Sequence, residues 1–138
     1  MRIPELLVPA SSLEVLKTAV IFGRMPCISA AKFSAWEQNP RIFLSKILKE
    51  GIDFAHAHGV RVYVTSNILA HNQDLEGVRE YFKELKVIQP DALIISDPGV
   101  FDIAREIIPE IDVHISTQAN NTNYGTYNFW HDREQEGL

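Results

Sequence analysis

"VRVYVTSNILAHNQDLEGVREYFKELKVIQPDALIISD", residues 60–97, decides the fold class. Its opening run is rich in β-branched and aromatic side chains and reads as a strand. Leu75, Val78, Phe82, Leu85 and Ile88 then recur at helical spacing, and Pro90 closes that helix. "DALIISD" is a further strand. Pro98-Gly99 turns the chain into a short helix over Val100 to Ile107, and "IDVHIST" is a strand again. Upstream, Leu44, Ile47, Leu48, Ile52 and Ala55 mark a helix that stops at Gly59. Near the start, Glu5-Leu6-Leu7-Val8 reads as a buried strand. Ser11 and Glu14 have capping-box spacing for a helix with Leu13, Leu16, Ala19 and Val20 inside and Gly23 as its stop. Asn123 to His131 can begin a last helix.

Strands and helices alternate, and the strands are nearly continuous apolar runs, as parallel strands covered by helices are. Strand starts at Arg61, Ala92 and Asp112 lie roughly 20–30 residues apart, one βα unit each. The interval from Glu5 to Arg61 is nearly twice that. One strand is missing there, and the interval holds "GRMPCISAAKFSAWEQNPRIF", residues 23–43, where Pro26, Trp36 and Pro40 interrupt any period.

A chain of 138 residues has the length of one domain, and 46% apolar with 22% charged residues is a globular composition. A net charge of -5 supplies no general basic field for nucleic acid. One cysteine excludes an internal disulfide framework and a Cys-rich metal centre in this chain, and suits a reducing cytoplasm. No run approaches the ~18 apolar residues of a membrane helix, and MRIPELLVPA is a poor signal peptide, so the expected location is the cytoplasm, with no membrane partner.

In parallel α/β folds ligands gather at the carboxyl ends of the strands. Those positions hold Asn67 and His71, then Ser96 and Asp97, then Thr117, Gln118, Asn120 and Asn121. Amides and hydroxyls in such a run offer paired donors and acceptors to a polar substrate. Turn and cap chemistry competes with that reading, most strongly for Asp97 before Pro98-Gly99. His71 lies in a loop after a strand and is the histidine best placed for a site. His56 and His58 point to different helix faces and do not share a metal; His114, inside a strand, is expected to pack. Cys27 has no nearby His or cation and reads as an inert thiol. Tyr63, Tyr81, Phe82 and Trp130 read as core or helix-face residues. No metal site is expected, and no Ser-His-Asp spacing, P-loop or HExxH occurs, so the catalytic residues are unknown.

The segments "PELLVPA", "EGIDFAHAHGVRVYVTSNILAHNQDLEGVREYFKEL", "SDPGVFDIARE" and "VHISTQANNTNYGTYNFWH" resemble the N-terminal half of peptidase family U32, the collagenase-like peptidases. The resemblance leaves out residues 24–42, where the family carries a "GADAVYIGG"-like strand. Synonymous codons can be chosen for residues 23–43 so that a shifted frame reads ADAVYIGGKVFGLGAKPADF, the absent strand and the loop after it. "DREQEG" can be shifted in the same way towards the family's continuation. The chain is therefore read as an N-terminal fragment with a frameshift over residues 24–42.

The resemblance implies an α/β fold, a partial (β/α)8 TIM-barrel-like domain over residues 1–138 with the first four or so βα units and a corrupted second strand. It implies an intact parent that takes part in hydroxylation of tRNA wobble uridine, with tRNA as partner. The alternative is a collagenase-like protease. Related members hold an iron–sulfur cluster through cysteines beyond this part of the barrel, so no cofactor is expected in this chain. An inactive, self-associating fragment is the expectation.

Overall fold

The computed structural model of the chain describes residues 7–23, 27–30 and 41–136. In order they form β1 (Leu7–Ala10), α1 (Leu13–Gly23), β2 (Cys27–Ala30), α2 (Arg41–Ala57) and β3 (Arg61–Thr65). There follow α3 (Leu75–Ile88), β4 (Ala92–Ile95), α4 (Pro98–Ile107), β5 (Asp112–Ile115) and α5 (Tyr124–Glu136). The five strands make one parallel sheet in the order β1-β2-β3-β4-β5. Strand order never turns back, in contrast to doubly wound sheets, whose ligand crevice lies at the reversal.

Alternation along each strand sorts the side chains into two populations. Val62 and Val64 of β3, with Leu93 and Ile95 of β4, join one core with Leu48, Ile52, Val78, Phe82, Leu85, Val100 and Trp130 from the helices. Tyr63, Ala92 and Ile94, the intervening residues, form a separate small cluster. The described helices thus pack on one face of the sheet and leave the other without a helix. Parallel strands are usually covered on both faces, and here the second cover is absent among the described residues.

Two expectations are corrected. The chain carries five βα units, where four or so were expected, and the second strand is present. Cys27–Ala30 pairs with β1 and β3 in continuous register, Cys27 opposite both Leu7 and Arg61. A parallel ladder asks only for backbone donors and acceptors, and this run between Pro26 and the rest of the misfit segment contains no proline. Residues 24–26 and 31–40 lie outside the described residues, as do Glu5 and Leu6 of the strand expected over Glu5–Val8, which is found over Leu7–Ala10. The cap of α1 is Ser12, not Ser11: its hydroxyl accepts from the Val15 N–H at 3.2 Å.

Gly51 sets how closely α1 and α2 approach. A Cβ there would stand 3.2 Å from Leu16 Cδ1 and 3.3 Å from Leu13 Cδ1. Gly51→Leu is expected to overpack the crossing and cost about 1–3 kcal/mol, read as a lowered urea midpoint. An unchanged midpoint would mean that the two helices slide apart at no cost.

Candidate strand-end site

The ladder continues past the formal strand ends. Ser66 N–H donates to Ile94 O and Ser116 N–H to Ile95 O, each at 2.8 Å, so the loops after β3 and β5 leave the sheet side by side over β4. This brings Asn67 to Ser116: the Asn67 amide donates to Ser116 Oγ at 2.8 Å. Ser116 Oγ also accepts from the Gln118 N–H at 3.2 Å, which starts the tight turn Thr117–Ala119. Asn67 Oδ1 and Ser66 Oγ are buried and have no hydrogen-bond partner among the described residues.

Ser66 faces α3, where burial pushes the Tyr81 phenol up to about 12. The Ser66 side chain pulls in the opposite direction and the Glu84 charge adds to the rise. The two hydroxyls interact, yet no hydrogen bond of ordinary geometry closes on Ser66 Oγ. Neither Ser66 nor Ser116 was singled out from sequence. The available signal was a serine immediately after each of two strands, in "VTSN" and "HIST".

Of the residues expected at the site, Asn67 and the backbone of Gln118 meet through Ser116; the others do not join them. Asp97 caps α4, its Oδ1 accepting from Val100 N–H at 2.8 Å with Pro98 at the first helical position. Asp97→Ala is expected to cost about 1 kcal/mol by loss of that cap, seen as a small fall in melting temperature. His71 is exposed and its N–H donates to Asp74 Oδ2 at 2.9 Å, opening the turn Asn72–Asp74. Asn120 takes a left-handed conformation (φ 56°) that ends the Thr117–Ala119 turn. Asn121 Oδ1 accepts from Thr126 Oγ1 at 2.7 Å and Asn123 Oδ1 from Thr126 N–H at 3.1 Å, so both asparagines organise the entry to α5.

His114 departs from its expected packing role. It is exposed, on the helix-free face of β5, with its ring edge-to-face on Tyr63 at 4.8 Å between centroids. His56 bonds Asp91 at 2.8 Å and His58 bonds the Phe54 carbonyl at 2.8 Å, both at the opposite ends of the strands. A cleft of about 180 Å³ lies on the helix side of β5, lined by Phe101, Val113, Ile115, Tyr127 and Trp130 together with the polar Asn121, His131 and Glu134, so that Asn121 is the one expected site residue it includes. It is smaller than most small-molecule sites, and its walls are chiefly apolar.

Among the described residues no group of three or more His, Cys, Asp or Glu could hold a metal ion. An iron–sulfur cluster asks for several thiolates, and a sequence with one cysteine does not supply them. No described helix is long and apolar enough to cross a membrane.

A model of the family described as Peptidase family U32 matches residues 27–136. The chain is 39% identical to the tRNA hydroxylation protein P of Haemophilus influenzae, over 98% of this chain and 29% of that one. It is 37% identical to the tRNA hydroxylation protein P of Escherichia coli, again over 98% of this chain and 29% of the relative. A relative from Methanocaldococcus jannaschii named as an uncharacterized protease is 35% identical over 91% of this chain and 30% of its own length. The chain thus spans under a third of the length of these relatives. No solved structure matches the chain.

Proposed function

The chain belongs to peptidase family U32, and from that membership we propose that it is part of a protein acting in cytoplasmic tRNA hydroxylation. The observation that carries the reading is its identity of 37–39% to two tRNA hydroxylation proteins through nearly every residue. The substrate is a wobble uridine of tRNA, and the iron–sulfur cluster belongs to the intact protein beyond this chain. A (β/α)8 barrel architecture is supported by the sequential parallel order and by helices gathered on one face. The five βα units are its first part. Among the described residues no strand pairs with the outer edges of β1 and β5, and such edges favour self-association.

The segment 24–42 is a shifted reading frame of the family's second strand. In the shifted frame the residues at positions 27–30 are Val-Tyr-Ile-Gly, a stretch that coincides with β2. By this account the chain as written is inactive.

A chimera tests both statements. In a bacterium lacking its tRNA hydroxylation protein, this chain replaces the corresponding part of the relative, once as written and once with the shifted-frame segment. Mass spectrometry of tRNA nucleosides is expected to find hydroxylated uridine with the second and little with the first. Absence with both, from soluble chimeras, would sink the tRNA reading; equal activity of the two would sink the frameshift. Resequencing the locus reads the frame directly.

A further inference from the structure

We draw no further inference here: the strongest candidate, the cleft between α5 and the outer edge of β5 lined by Tyr127, Trp130, His131 and Glu134, lies on a flank that the barrel reading turns toward further βα units, and nothing in the structure shows what covers it.

Discussion

Phe82→Ala is expected to remove about 3–5 kcal/mol of stability, the usual cost of emptying a buried phenylalanine site. Phe82 is fully buried on α3, in the core that joins that helix to the inner residues of the strands. Domains of this size are stable by only about 5–15 kcal/mol, so the variant stands near the limit of folding. Phe82→Leu keeps most of the volume and is expected to cost less than half as much. Urea denaturation of the three proteins gives the comparison. A loss below about 1 kcal/mol for the alanine variant would mean that α3 does not pack on the sheet as described.

The second large effect is an alkaline one. The phenol of Tyr81 is held up to about 12 by burial, against an ordinary 10.0. A proton bound more tightly in the folded chain stabilises it fully below the unfolded value of 10. That contribution is lost as the pH rises from 10 through about 12. Two pH units correspond to about 2–3 kcal/mol. Tyr81→Phe carries no such proton, so its urea midpoint is expected to fall less between pH 9 and pH 11.5 than that of the parent. Parallel falls would place the phenol in water. The lysines titrate over the same range in both proteins and cancel in the difference.

The three strands whose starts were read at Arg61, Ala92 and Asp112 begin at those residues in the structure. Their composition and the turn residues around them are local signals, and α3 repeats its apolar residues at helical spacing from Leu75 to Ile88 without interruption. β2 was not legible because Cys27-Ile28-Ser29-Ala30 carries weak strand propensity; its identity comes from lying between two strands that present free ladders. The exposed helix-free face was hidden for a related reason. Apolar runs such as "ALII" look alike whether one face or both are covered, so they said nothing about a missing layer.

At the site, sequence placed the right strand ends but not the right partners. Asn67 was legible by position, whereas Ser116 became a partner only because the loops after β3 and β5 run side by side over β4. Asp97 and Asn121 were legible as polar residues near strand ends, and the structure turns both towards their own helices. His114 looked like a packing residue because the period of a strand does not tell which face is bare.

The sequential strand order also sets a timetable for synthesis. Each strand pairs only with the strands made just before and just after it, so the sheet can grow in the order in which the ribosome delivers it. The longest interval follows β2: positions 31–60 separate Ala30 from Arg61, the first residue of β3. At about 5–20 residues per second that wait lasts roughly 2–6 s. Throughout it β2 has an unfilled ladder on the side away from β1, which makes the growing sheet edge a natural client for chaperones.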